Sequence, residues 1–197
     1  MKFYEAIMRL FNMNKAFFYT FITFSLFVSS KSLLCQNTYT QNDVINIYNI
    51  DIELLEKCML EETNRIRHAN GLSYLHEDAL LQKAALLHSS QMNKYAFFNH
   101  VNPKIKEIAT VDKRLQYYNY PYQSYAENIL YTYIDKNNPP TYKQLAGYAI
   151  KLLYKSKEHR KNIVNRIYTD IGVGIVLAKK YDANYVYFYL TQDFGTK

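Results

Sequence analysis

Two stretches near the carboxyl end constrain the fold most. In the first, Ile171, Val173, Ile175 and Leu177 alternate with Gly172, Gly174, Val176 and Ala178; in the second, residues 185–190 read YVYFYL. A period of two marks a strand, and β-branched and aromatic residues suit a pleated surface. Lys179 to Asn184 lies between them as a turn, so the chain closes in a β-hairpin. Such a hairpin must bury its apolar face against other elements, and the chain upstream offers helices to do it.

The first helical pattern runs from Asp51 to Asn70, where Leu55, Cys58, Met59, Glu62 and Ile66 recur at three and four residues and Asn70-Gly71 supplies a left-handed stop. A second, from about Glu77 to Lys94, carries Leu80, Ala84, Leu87 and Gln91 on one stripe with Leu81, His88 and Met92 beside it. It ends in the aromatic loop Tyr95-Ala96-Phe97-Phe98-Asn99-His100. Pro139-Pro140-Thr141 opens a third, with Pro140 in its first turn and Leu145, Ala149, Leu152 and Leu153 on the buried face. Residues 101–124, with Pro103 and Pro121, yield only a short helical segment around Val111 to Tyr118. Helices first and strands last predict an α+β fold, with helices covering an antiparallel sheet.

At 197 residues the chain is one domain plus a tail. Residues 16–28, AFFYTFITFSLFV, are an apolar run of 13 positions. A spanning helix needs about 20 such residues and a signal-peptide core about 7–15, so the run reads as an export signal. A start at Met13 would give the compact pattern MNK plus apolar core. The expected organisation is a signal over residues 1–35, a polar linker over 36–50 and a domain over 51–197, with no spanning helix in the mature chain. Lipid anchoring through Cys35 would need a small residue before it, and Leu34 is not small. Cys58 shares its spacing with core positions and reads as buried. Five Gly, four Pro and two Cys exclude collagen-like chains and disulfide scaffolds.

The net charge of +7 raises the question of nucleic acid. Residues 1–35 hold four basic residues against Glu5, which leaves +4 for residues 36–197. The cluster Lys155, Lys157, Arg160, Lys161 and Arg166 has Glu158 inside it and no aromatic interleaving. It reads as a solvated helix end, with no nucleic-acid partner.

Two histidines stand out: His100 after the aromatic loop and His159 in Ser156-Lys157-Glu158-His159-Arg160. Neither has a neighbour at metal-motif spacing, so a metal site would be assembled from distant segments, with Glu127 as an oxygen donor. Asn64, Arg65 and Arg67 read as a polar network tying helix to loop, and Tyr117-Tyr118-Asn119-Tyr120-Pro121-Tyr122 as a tyrosine-rich groove or a core cover.

The order of segments resembles the CAP superfamily, also called the SCP or cysteine-rich secretory protein, antigen 5 and pathogenesis-related 1 domain, in its compact bacterial form. The matching residues are Asn64-Arg65-Ile66-Arg67 with Asn70-Gly71-Leu72, Ala84 with His88-Ser89 and Met92, Phe98-Asn99-His100, Ala126-Glu127-Asn128, Ser156 with His159-Arg160-Lys161-Asn162-Ile163, Tyr168 to Gly174, and Thr191 to Gly195. The resemblance implies a three-layer α-β-α sandwich with a central antiparallel sheet and a cleft lined by His100, His159 and Glu127. Ser156 lies nearest to the position where many eukaryotic members carry a second glutamate, and a serine is a poor ligand. The resemblance further implies an exported binding module for a lipid, sterol, glycan or other cell-envelope component. The alternative is a metal-assisted hydrolase or peptidase, with His100, His159 and Glu127 holding a divalent metal such as zinc.

Overall fold

The computed structural model describes residues 39–197. The expected signal and Cys35 lie outside these residues. Among the described residues five α-helices flank a four-stranded sheet. In chain order they are α1 (Ile52–Ala69), β1 (His76–Glu77), α2 (Ala79–Tyr95), α3 (Val111–Tyr117), β2 (Ser124–Asp135), α4 (Tyr142–Lys155), α5 (Lys157–Ile163), β3 (Asp170–Leu177) and β4 (Tyr185–Thr196).

The sheet order is β1-β3-β4-β2. The hairpin β3-β4 and the pair β2-β4 are antiparallel, whereas the two-residue β1 runs parallel to β3. Past Glu77 the outer edge of β3 is met by side chains instead of a strand: Glu56 Oε1 accepts from the Ile175 amide at 2.8 Å and Asn93 Nδ2 donates to the Leu177 carbonyl at 3.1 Å. These bonds satisfy edge groups that would otherwise invite another strand.

The alternation along the strands sorts the layers. Ile171, Val173 and Ile175 with Phe188, Leu190 and Phe194 join Leu55, Cys58 and Met59 of α1, Ile150 and Leu153 of α4 and Ile163 of α5 in the main core. Gly172 and Gly174 face the other way, where a Cβ would stand 2.1–2.2 Å from the backbone of α2. The absent side chains are what let α2 lie directly on β3. The result is an α-β-α sandwich with α1, α4 and α5 on one face and α2 and α3 on the other.

Local signals set most boundaries. Asp51 and Asp78 accept amide hydrogens at the starts of α1 and α2, and Gly71 follows α1 at φ 68°. Thr141 caps α4 in a reciprocal pair with Gln144, so Pro140 precedes the helix instead of occupying its first turn. A strand of 12 residues, Ser124–Asp135, follows the segment that periodicity reads as a short helix. Two expectations change. The basic stretch after α4 is a separate short helix, α5, begun at Ser156. The segment read as a linker packs onto the domain from Tyr39 onward: Ile45 is 2% exposed, and its amide donates to Pro140 at 3.0 Å.

Candidate functional site

The site is built around β2, where adjacent residues point to opposite faces of the sheet. Glu127 faces the α2-α3 layer, and Asn128 faces the α5 layer. Each holds one of the two histidines.

On the first face, His100 Nδ1 lies 2.8 Å from Glu127 Oε1, and Arg114 of α3 pairs with Glu127 Oε2. Because an ionised carboxylate only accepts, His100 donates through Nδ1 and keeps its lone pair on Nε2. The Glu127 side chain is 1% exposed and that of His100 48%, so the carboxylate is interior and the imidazole reaches solvent. Arg114 is itself buried and also donates to the carbonyls of Ile108 and Ala109 at 3.3 and 3.0 Å. One guanidinium thus folds the loop that carries His100 and neutralises the carboxylate that orients it.

Burial alone would raise the Glu127 carboxyl, but the hydrogen bond from His100 and the charge of Arg114 outweigh it and hold it below its ordinary range. Behind it, His88 of α2 donates through Nε2 to the Asn99 carbonyl at 3.0 Å, and burial pushes its pKa down to about 4. Asp193, opposite Glu127 on β4, is fully buried with no hydrogen-bond donor on either oxygen. Burial and the neighbouring charge of Glu127 raise it well above the usual carboxylate range.

On the second face, Asn128 Nδ2 donates to the His159 carbonyl at 3.2 Å, and Asn162 Nδ2 donates to Asn128 Oδ1 at 2.8 Å. Gln192 of β4 and Thr63 of α1 extend this buried amide network. It fixes α5, and with it the half-buried His159 ring, whose pKa burial and the charge of His100 lower.

The structure therefore brings the loop of His100 and the backbone of His159 to adjacent residues of one strand, Glu127 and Asn128. Ser156 takes the turn before α5, its amide donating to the Leu153 carbonyl. Its hydroxyl makes no hydrogen bond to His100, Glu127 or His159 among the described residues. A divalent ion held by His100, His159 and Glu127 needs an oxygen from Glu127, yet both oxygens are engaged and the charge is cancelled by Arg114. As a three-donor set these residues do not fit a metal ion.

Arg114, His88 and Asp193 complete the site without having been singled out for a role in it. The available signal was the carboxylate of Asp193 within the motif Thr191-Gln192-Asp193-Phe194-Gly195, whereas Arg114 in Val-Asp-Lys-Arg carries none. Arg67 behaves as its sequence context predicts: it donates to the carbonyls of Ser73, Ile163, Asn165 and Tyr168, tying α1 to two loops.

Residues 60–194 match the model of the cysteine-rich secretory protein family, CAP. Among curated proteins the chain is similar to the uncharacterized membrane protein YlbC of Bacillus subtilis, 32% identical over 66% of this chain and 34% of that protein. It is also similar to the uncharacterized protein YkwD of the same bacterium, 30% identical over 64% of this chain and 44% of that protein. The matched region is thus less than half the length of either relative. Among solved structures, an extracellular protein containing an SCP domain from Bacillus anthracis superposes with a TM-score of 0.56 at 28% identity, over 73% of this chain and 40% of that one.

Proposed function

Since the chain belongs to the cysteine-rich secretory protein family, CAP, we propose that it is an exported binding module for a component of the cell envelope. The observation that carries this reading is the state of Glu127, a buried carboxylate whose two oxygens already serve His100 and Arg114. A general base or metal ligand needs an accessible oxygen directed at its target, and the Glu127 side chain is 1% exposed. Glu127 instead sets the tautomer of His100 and leaves the two imidazoles, with the Ser156 hydroxyl at the start of α5, as polar contacts for a ligand. Export is supported by the apolar run at residues 16–28 and by the likeness to an extracellular protein. Among the described residues no helix is long and apolar enough to cross a membrane. Because Leu34 precedes Cys35, release without a lipid anchor is the form proposed.

Sedimentation with purified bacterial cell envelopes tests the reading. The wild-type chain is expected to pellet with them, and the double variant His100→Ala, His159→Ala to pellet more weakly without either releasing soluble fragments. Release of envelope fragments by the wild type in added zinc, lost in the double variant, would replace the binding module by the metal-assisted hydrolase.

A further inference from the structure

The strands β2 and β4 continue beyond the end of α2, and on the face that α2 leaves there they carry five tyrosines in alternation, with Asp135 closing β2 opposite Tyr185. Tyr131 and Tyr133 of β2 stand opposite Tyr189 and Tyr187 of β4, with Tyr185 next along the strand. Tyr131 and Tyr187 lie nearly parallel, 9° apart with centroids at 5.5 Å, while Tyr131–Tyr189 and Tyr133–Tyr185 approach to 4.6 and 4.5 Å. From Tyr185 to Tyr189 the ladder is about 14 Å long at strand rise. Its inner end meets Phe98, 6.3 Å from Tyr131 and two residues before His100, so the ladder runs outward from the histidine site. Tyr133 is 42% and Phe98 52% exposed, and no described element covers them.

The apolar residues that alternate with these tyrosines, Leu130, Ile134, Val186, Phe188 and Leu190, all belong to or pack against the main core on the opposite face. The tyrosines are therefore not there to fill an interior. A lipid-binding surface would carry the aliphatic set, whereas tyrosine offers a flat apolar face with a hydroxyl at its rim. A pyranose ring is complementary to that, with a face of C–H bonds and a rim of hydroxyls. At this end of the sheet Lys136, Lys179 and Lys180 stand against Asp135 and Asp182. The Lys180 ammonium sits 4.2 Å over the Tyr187 ring, and Lys136 lies 5.4 Å from that of Tyr181. Asp182 accepts from the amides of Asn184 and Tyr185 and Asp135 from that of Asn137, and Lys136 donates to the Asp182 carbonyl, which leaves Lys180 as the ammonium over the ladder.

We propose that this tyrosine face binds an acidic glycan, its sugar rings stacked along Tyr131, Tyr187 and Tyr133 and a carboxylate against Lys180. The inference rests on the binding-module reading and deepens it by naming the ligand class and placing it on the sheet beside the histidines.

Titration calorimetry of the full chain with a galacturonic acid hexamer, with maltohexaose as the neutral counterpart and with phosphatidylglycerol vesicles tests it. The acidic hexamer is expected to bind at least tenfold more tightly than the neutral one, with no binding to vesicles. Tyr131→Leu with Tyr187→Leu keeps apolar bulk but removes the flat rings, and should weaken the acidic hexamer at least tenfold with the melting temperature held. Lys180→Ala should weaken it and flatten its salt dependence. Tyr48→Leu, at a 94% exposed tyrosine outside the ladder, should change nothing. Equal binding of neutral and acidic hexamers, preference for vesicles, or an unaffected double-leucine variant would overturn the proposal. A wild-type chain that pellets with envelopes yet ignores the hexamer overturns it while leaving the binding module standing; one that neither pellets with envelopes nor binds the hexamer removes both.

Discussion

Arg114 shows how one residue can hold a site together from beneath. Its guanidinium neutralises Glu127 and at the same time donates to the loop carbonyls before α3. Removing one member of a buried ion pair leaves the other charge uncompensated, at a cost of about 3–5 kcal/mol. Arg114→Met should therefore lower stability by that order in urea denaturation, while the double variant Arg114→Met, Glu127→Met recovers a measurable part of the loss. Full additivity of the two single losses would contradict the pairing. His88 gives a pH prediction whose sign follows from burial. Its folded pKa of about 4 lies below the ordinary 6.5, so between those values the unfolded chain binds a proton that the native chain refuses. Stability falls as the pH drops through that window, by up to about 3 kcal/mol from this group. Glu127, Arg114, His100 and Asp193 face the same pocket, and the raised Asp193 works in the opposite direction. The comparison of variant with wild type isolates the histidine: His88→Gln should flatten the fall in melting temperature between pH 6.5 and pH 4. His100 and Glu127 were legible because their neighbours, Phe98-Asn99 and Asn128, form ordered motifs. Arg114 was not, since an arginine in Val-Asp-Lys-Arg reads as solvent-facing until a buried carboxylate from another element meets it.

At the scale of elements, the hairpin and the three long helices were legible from periodicity, and the failures share a cause. In β2 the buried residues include Glu127 on one face, held by an ion pair, and Asn128 and Thr132 on the other, with Asn128 held by hydrogen bonds instead of apolarity. A hydrophobic pattern cannot register a strand whose core face is partly polar. The break between α4 and α5 was hidden for a related reason. No glycine or proline marks it, and Ser156 starts α5 without a side-chain cap. The glycines of β3 make the opposite case, being visible as an alternation yet explained only by α2. A Cβ on Gly172 would stand 2.1 Å from the Gln82 nitrogen, and one on Gly174 2.2 Å from that of Leu86. Backbone cannot step aside as a flexible side chain can, so Gly174→Ala should cost about 1–3 kcal/mol, read as a lowered denaturation midpoint at unchanged slope. A substitution that left the midpoint in place would mean that α2 does not rest on β3 as described.

For the whole molecule the open boundary is where the folded unit begins. Polar composition over residues 36–50 suggested a linker, because Asn, Gln and Thr carry no periodicity. Yet Ile45 is 2% exposed, Tyr39 lies 6.1 Å from the Tyr142 ring, and the Tyr142 hydroxyl accepts the Asp51 amide at 2.9 Å. Burial of one isoleucine side chain is worth about 1.5–3 kcal/mol, and the Ile45–Pro140 and Val44–Thr141 pairings also tether the start of α4. A chain beginning at Tyr39 should therefore melt cooperatively, whereas one beginning at Asp51 should lose about 2–4 kcal/mol by the same apolar burial and backbone pairing. The same argument limits processing. A signal peptidase acting on the exported chain has to cut before Tyr39 if the product is to keep this packing. Intact mass of the exported protein should then give an amino terminus at or before residue 39. A mass retaining residues 1–30 would refute the cleaved signal, and a terminus near residue 50 in a fully stable product would refute the packing of Ile45.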